Sequence, residues 1–484
     1  MINLYYCDYY YVFILIFTFV LSFFKNNNYL SFYKVSFLNL FVLISKIMFL
    51  FIILTILTLN INFSNENFNF NLFIVFKLIF CFFCFLFLIF LENYAHILKI
   101  YNFEFFFVFF FSIFALNLFL QSNNFLSFYI LLESYTLSIC SVFVIKKLNK
   151  KLIDSSFKYF VFNIISSSLI LFGISNIYFS SGLLNFNDLN QIFFFYNYFY
   201  FKNIFNYGYL LLFLGFLMKL SVFPFSIFLT EIYLGLPNLY VFFLLIMPKF
   251  TFIIFVFNIS FNFSNHLNNT FLIFIGSLLV LTSFFHSIMS VYSLNLKNIV
   301  VNVSFANAPF LIIPIFYKSI FLLNAFFNFI IIYFFNLLCF FIILLVMSNK
   351  NNFLKKINSL ISLFNTNFSL TFVFIVNLLS FCSLPPFAGF FAKLYFFYFF
   401  VEFKLYFFYF FLSFLNLIII YSYLRIIRLF FVKKQNLYFK NLIIKKNFML
   451  FILCFLTFFN VTFFFFFDTF YSLLFLFLNY NILF

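Results

Sequence analysis

Three lysines lie inside long apolar runs of this chain, each with a proline close by. Lys219 sits in LLLFLGFLMKLSVFPFSIFLT (210–230), five residues before Pro224. Lys249 directly follows Pro248 in a second run, and Lys393 follows Pro385, Pro386 and Gly389 in FCSLPPFAGFFAKLYFF (381–397). A lysine at bilayer depth costs about 2.5–3.5 kcal/mol on insertion scales, so it is normally paired, hydrated or functional. Proline or glycine there frees backbone groups, which must be satisfied inside the protein or by a water-filled cavity. The pattern calls for a polar path through a membrane protein and leaves open what moves along it.

Composition makes the membrane reading firm. The 484 residues are 67% hydrophobic and 8% charged, with a mean hydropathy of +1.18; a soluble domain carries about 25% charged residues. A span needs about 20 apolar residues, and roughly fourteen such runs are separated by polar breaks. They centre near residues 15, 48, 80, 112, 135, 168, 218, 248, 280, 308, 334, 383, 413 and 457, with a short interfacial tail from Phe470. The first run begins near Tyr9 and reads as a retained helix. Phenylalanine is used 109 times and tryptophan never, as expected of drift under an AT-rich code such as that of some organelle genomes. An aromatic stripe here reads as lipid-facing filler.

The net charge of +17 is no nucleic-acid signal, because the cations sit in short loops. Lys25 and Lys34 follow the first span, Lys99 the third, and Lys146, Lys147, Lys150 and Lys151 the fifth. Lys350, Lys355 and Lys356 follow the eleventh, and the stretch Arg425 to Lys446 the thirteenth. Every cluster follows an odd-numbered span, so all lie on one face. The positive-inside rule puts that face in the matrix or cytoplasm and both termini opposite.

Few groups remain for chemistry. Glu133, in FLSFYILLESYTLSICSVFV, stands eight residues into an apolar run. Alone it would take up a proton; paired with a lysine of another helix, Lys219 being the candidate, both stay charged. A static ion pair is the plain alternative, but such pairs stabilise poorly once desolvation is counted. Lys158 begins the sixth span, either snorkelling to the interface or serving as a way in for protons. Ser166, Ser167 and Ser168 offer hydroxyls to water or to neighbouring helices. Glu92 and Glu104 mark span ends; Lys46 and Lys77 lie in apolar runs with no adjoining break. His286 falls inside the ninth span as a relay or a satisfied core residue, while His96 and His266 read as loop residues. Cys81 and Cys84 form a CxxC with no second pair and read as packing residues. No P-loop, HExxH or GxSxG occurs, nor a Cys/His set with metal or haem spacing. No bound cofactor or metal is expected.

The seventh and twelfth spans look like one device used twice, each joining a mid-span lysine to a proline break. They lie five spans apart, and an odd offset inverts the second copy across the membrane, the usual pointer to a transport site near the midplane. The expected architecture is all-α and polytopic, with about fourteen transmembrane helices, two inverted five-helix repeats and discontinuous helices 7 and 12. Its parts are helices 1–3 (1–100), a first repeat of helices 4–8 (101–260), a second of helices 9–13 (261–435), and a last helix with tail (436–484).

At this point three motifs carry a resemblance. KYFVFNIISSSLILFGISNIYFSSG (158–182) resembles the KYF…SS…G…Y…G stretch of the subunit 2 family of NADH dehydrogenase, among the antiporter-like subunits of respiratory complex I. KLSVFPFSIFLTEIYLGLP (219–237) is similar to that family's lysine, proline-phenylalanine and acid-tyrosine-glycine-proline segment. SLPPFAGFFAKLYFF (383–397) is similar to its PP-x-x-GF-x-x-K signature, the most specific of the three. By likeness Glu133 matches the acid of the fifth helix, Lys219 its partner in the seventh, Lys249 the lysine of the eighth and Lys393 that of the twelfth. The chain departs from the pattern in LNLKNIVVNVSFANAPF (294–310). Asn298, after Lys297, and Asn307, after Ser304, stand where the family has titratable groups, and Glu231 replaces an aspartate.

The resemblance implies a proton-translocating subunit of the mitochondrial inner membrane, with basic loops in the matrix and termini in the intermembrane space. Glu133, Lys219, Lys249 and Lys393 would form its relay, with Lys158, Lys297 and His286 as further relay or uptake points. NADH, FMN, iron-sulfur clusters and ubiquinone would belong to partner subunits. Partners would be other membrane-arm subunits, including a neighbouring antiporter-like one and small membrane subunits, together with lipids. Subunit 4 of the same complex, which tends to carry glutamate at the Lys393 place, is the nearest alternative. A stand-alone cation/proton antiporter and a purely structural spacer are the others.

Overall fold

The structure, a computed structural model, describes residues 68–98, 103–145, 150–186, 188–189, 199–263, 269–316, 320–347, 357–360, 364, 367–432 and 447–482. The runs expected near residues 15 and 48, together with Lys25, Lys34, Lys46, Lys99, Lys146, Lys147, His266, Lys350, Lys355 and Lys356, lie outside them. So does the stretch 433–446.

Among the described residues the chain is almost entirely helix. With no water in a bilayer core, each backbone group must be satisfied within its own segment, and only a helix does that for a single strand of chain. The helices are α1 (Phe68–Leu98), α2 (Phe103–Phe119), α3 (Phe125–Ile145), α4 (Lys150–Ser181), α5 (Phe199–Lys219), α6 (Ser226–Gly235), α7 (Asn238–Phe263) and α8 (Asn269–Tyr292). They continue with α9 (Leu296–Ala306), α10 (Ala308–Phe316), α11 (Ile320–Val346), α12 (Phe368–Phe381), α13 (Ala388–Glu402), α14 (Tyr406–Phe431) and α15 (Asn447–Ile482). Seven of the described segments are long and apolar enough to cross a membrane, α9 and α10 together counting as one. This is a nearly all-helical, multi-pass membrane protein.

Two expectations are corrected. The proline beside Lys249 breaks nothing: α7 runs through Pro248. The lost hydrogen bond to the preceding turn is outweighed here by packing, since α7 is the most buried helix of its unit and Phe250 lies against Phe76, Phe80 and Phe83 of α1. His96 lies within α1 rather than in a loop, because ENYAHIL holds no proline or glycine to end the helix.

The fold divides into two compact units. One comprises the chain up to Leu220 with Glu231–Asn265; the other comprises Ser221–Thr230 and the chain from His266 onward. In the first, α7 is the core. There α4 and α5 approach closely: a Cβ on Gly215 would come within 2.8 Å of the Ser166 carbonyl oxygen and 2.5 Å of Ile170 Cγ1. Small residues at such contacts let membrane helices pack backbone to backbone. In the second unit α9, α10 and α11 are mostly buried and α14 lies half exposed.

Two interruptions stand out. After α5 the chain turns at Ser221, whose φ of 63° is left-handed, and resumes as α6; after α12 it turns at Ser383, φ 56°, and resumes as α13. Serine pays for that conformation with steric crowding of its Cβ. Pro224 and Pro386 each follow the serine by three residues, both through a cis peptide bond. Lacking N–H groups, they cannot prolong the preceding helix.

Candidate functional site

In the first unit the last turn of α5 delivers Lys219, 8% exposed, to a polar patch walled by α3 and α4. Its Nζ has no hydrogen-bond partner. Glu133, on α3, lies within electrostatic reach of that amine, as does Cys140, yet the two form no direct ion pair. Glu133 keeps one buried oxygen unpaired, Oε1, while Oε2 accepts from Thr136 Oγ1 at 3.4 Å. The Tyr129 hydroxyl faces Glu133 and Ser167, and the Cys140 thiol faces Asn163 of α4. One helical turn away, Tyr135 Oη and Tyr159 Oη meet at 3.5 Å. One turn before Lys219, Gly215 lets α5 pack against Ser166 and Ile170 of α4. The acid and the amine thus face each other without a direct bond, among the hydroxyls of Tyr129, Thr136 and Ser167.

Lys249 is 4% exposed on α7. Lys77 of α1, passed over because no break adjoins it, is 2% exposed. Ser166 and Ser167 are buried and Ser168 exposed, and each donates to its own helix, to Asn163 O, Ile164 O and Ile165 O respectively. Lys158 is exposed and pairs with Glu231 Oε2 at 3.1 Å.

In the second unit Lys393, 4% exposed on α13, donates to Asn416 Oδ1 of α14 at 2.6 Å and stands 5.3 Å from the centroid of the Phe310 ring. Pro385, Pro386 and Gly389 form the turn before it; a Cβ on Gly389 would lie 1.8 Å from the Ser380 carbonyl oxygen, so only glycine fits. His286 is wholly buried on α8, its Nδ1 3.3 Å from Asn302 Oδ1 of α9 and its ring against Phe305. Lys297 is half-buried in the first turn of α9, and Asn307 is buried where α9 gives way to α10. Arg425 of α14 caps the end of α8, donating to the carbonyls of Val291, Ser290 and Ser293, a favourable place for a cation.

Sequence reasoning missed Cys140, Asn163, Asn416 and the tyrosines. A lone asparagine inside YFFYFFLSFLNLIII (406–420) was the available signal for Asn416, diluted by the abundance of asparagine elsewhere. Among the described residues no three His, Cys, Asp or Glu side chains come together as a metal site would need.

The site thus comprises buried single lysines, two of them beside helix interruptions, with a carboxylate facing one. A profile of the family "NADH:quinone oxidoreductase/Mrp antiporter, TM" matches residues 122–419, and the chain belongs to that family. NADH-quinone oxidoreductase subunit N of Pelagibacter ubique is 26% identical over 351 residues, 71% of this chain and 72% of its own length. The subunit N of Francisella tularensis is 27% identical over 277 residues, 57% of each chain, so this chain spans little more than half of that relative. Solved structures share the fold at 14% identity: a chain of respiratory complex I from Thermus thermophilus (TM-score 0.75, covering 95% of this chain and 97% of that one). A chain of an archaeal membrane-bound sulfane sulfur reductase gives 0.78, covering 98% and 96%, and one of the Mrp complex from Dietzia 0.63, covering 75% and 67%.

Proposed function

We propose that this chain is a proton-translocating, antiporter-like subunit of respiratory complex I, in the mitochondrial inner membrane. It couples NADH:ubiquinone electron transfer in partner subunits to proton movement, and does no redox chemistry itself. The observation that carries the reading is that half-buried Glu133, with one buried oxygen, faces the buried Lys219 without a direct bridge. Family membership supports it, as do relatives named as subunit N of the same enzyme. The drifted, phenylalanine-rich composition supports an organelle genome. The surroundings of Lys219, Lys249 and Lys393 support them as the relay, and the proline and serine turns at both interruptions support two inverted repeats, 101–260 and 261–435, of a fourteen-helix chain.

The mechanism is electrostatic. While Glu133 is charged, it holds the Lys219 ammonium in place. A rearrangement arriving from the neighbouring subunit weakens that attraction, and Lys219 gives its proton to bridging water. Protons pass to Lys249 and then Lys393, with His286, Lys297 and Lys158 as further points of uptake. Moving one charge against the membrane potential needs about 2.3 kcal/mol per 100 mV.

The test is Lys219→Ala in the assembled complex, reconstituted into vesicles. Proton pumping per NADH oxidised should be abolished while the complex still purifies intact; unchanged pumping would remove Lys219 from the path. The likeness to an Mrp complex chain favours a second reading, a cation/proton antiporter outside complex I. Purification separates the two: a complex I subunit leaves the membrane with flavin and iron-sulfur subunits, an antiporter without them.

A further inference from the structure

We propose that the hydroxyl of Tyr423, with that of Tyr333 behind it, passes protons between Lys393 and the end of α14 at which Arg425 stands. This gives the second unit its own route to one membrane face. It rests on the relay reading of Lys393 and adds a branch which that reading lacks.

Tyr423 is wholly buried on α14, and its Oη has no hydrogen-bond partner. A phenol in a core normally finds an acceptor; here the ring is fixed by stacking on Phe381, 5.7 Å between centroids, while the hydroxyl is left open. Asn416, which accepts from the Lys393 ammonium at 2.6 Å, lies on the same helix seven residues earlier. That spacing puts both side chains on one face of α14, about 10 Å apart along its axis, a distance two or three waters span. Between them Cys382 approaches the Ile420 carbonyl, Sγ to O at 4.0 Å. Cys382 is also the common electrostatic neighbour of Lys393 and Tyr423. Tyr333 of α11 is the other neighbour of Tyr423, its hydroxyl donating to Ser304 O at 3.4 Å and its ring stacked on Phe329. Two turns of polar atoms thus run from the buried lysine toward Arg425, within a helix pair otherwise packed with phenylalanine.

The step leaves no charge on the phenol. A water at the Arg425 end of α14 gives a proton to Tyr423 Oη, and Tyr423 releases its original hydroxyl proton to the next water toward Lys393. That water passes a proton to the neutral Lys393 amine. One proton moves inward from that face, Lys393 becomes the ammonium, and Tyr423 ends as it began. Tyr333 stands beside it as a second phenol whose oxygen can accept from an intervening water.

The experiment uses the intact complex in sealed vesicles. Tyr423→Phe keeps the ring and its stack on Phe381 and deletes only the hydroxyl. NADH-driven acidification should slow about fivefold, with a larger H2O/D2O rate ratio than in the wild type, and Tyr423→His, which can again pass a proton, should recover most of the rate. A merely structural role would leave the isotope ratio unchanged. Wild-type rate and isotope ratio in Tyr423→Phe overturn the proposal. If that variant does not assemble, Tyr333→Phe carries the same prediction at about twofold, and its wild-type behaviour overturns it equally. Lys393→Met separates this idea from its parent: loss of pumping there, with Tyr423→Phe unaffected, sinks the branch alone, whereas wild-type pumping in Lys393→Met sinks the relay reading of Lys393.

Discussion

The two interruptions, after α5 and after α12, use the same backbone turn and different chemistry. Ser221 and Ser383 both take a left-handed φ, and Pro224 and Pro386 follow at the same distance. Aligned on those serines, Lys219 falls opposite Phe381, and Lys393, ten residues past its serine, falls opposite Glu231. Thus the lysine precedes the turn at one interruption and follows it at the other, and the position that aligns with Lys393 carries an acid. Their surroundings diverge as well. Lys393 is buried against Asn416, while Glu231 is 59% exposed and paired with Lys158, also 59% exposed. Gly389 is pressed onto the Ser380 carbonyl, whereas Ile227 in the matching place is 36% exposed. The common turn solves the backbone problem of interrupting a membrane helix. Which side of it holds the charge is set separately at each interruption, by what the neighbouring helix offers.

That contrast can be broken by substitution. The largest effect should come from Gly389→Ala, whose Cβ would overlap the Ser380 carbonyl and destabilise by about 3 kcal/mol or more. The matching Ile227→Ala should stay within about 0.5 kcal/mol. Recovery and thermal denaturation of the purified complex check both, and equal behaviour would erase the difference in tightness.

The next effect concerns charge. Asn416→Leu strands the buried Lys393 ammonium without its acceptor and should cost about 3 kcal/mol, read as a lowered denaturation midpoint together with slower pumping. Glu231→Gln, at the matching place, should cost under about 1 kcal/mol, as exposed pairs do. A larger loss from Glu231→Gln than from Asn416→Leu would reverse the assignment of buried and peripheral charge.

The smallest effect sharpens the likeness. Ser221→Gly and Ser383→Gly relieve the same left-handed strain and should each raise stability, by about 0.5–1 kcal/mol. Opposite signs in the denaturation midpoints would show that the two turns are not equivalent.

How much of this was legible beforehand follows from where the signals were strong. Prolines in apolar runs announce interruptions, and they did so at Pro224 and at Pro385–Pro386. Pro248 gave the same signal and was overridden, because packing around α7 tolerates one missing hydrogen bond. Lys219 and Glu133 could be matched because each is an isolated charge in a run of hydrocarbon. Cys140 and Asn416 could not, since neutral polar residues are frequent here and only the helix faces reveal which of them lie near a lysine; nor could Asn163, which faces Cys140. The left-handed serines were invisible, serine having no preference that would flag them. Lys77 was ranked low because no break adjoins it, and its burial at 2% exposure was not legible from that pattern.

The central claim is that Glu133 holds the Lys219 ammonium across water rather than by contact, and that Lys219 gives its proton to that water. A density map of the intact complex, at a resolution that shows individual waters, tests it most directly. The account predicts ordered water joining the Glu133 carboxylate to the Lys219 amine, held by Tyr129, Ser167 and Thr136. A dry gap filled by phenylalanine rings, with no water within hydrogen-bond reach of Lys219 Nζ, would contradict it.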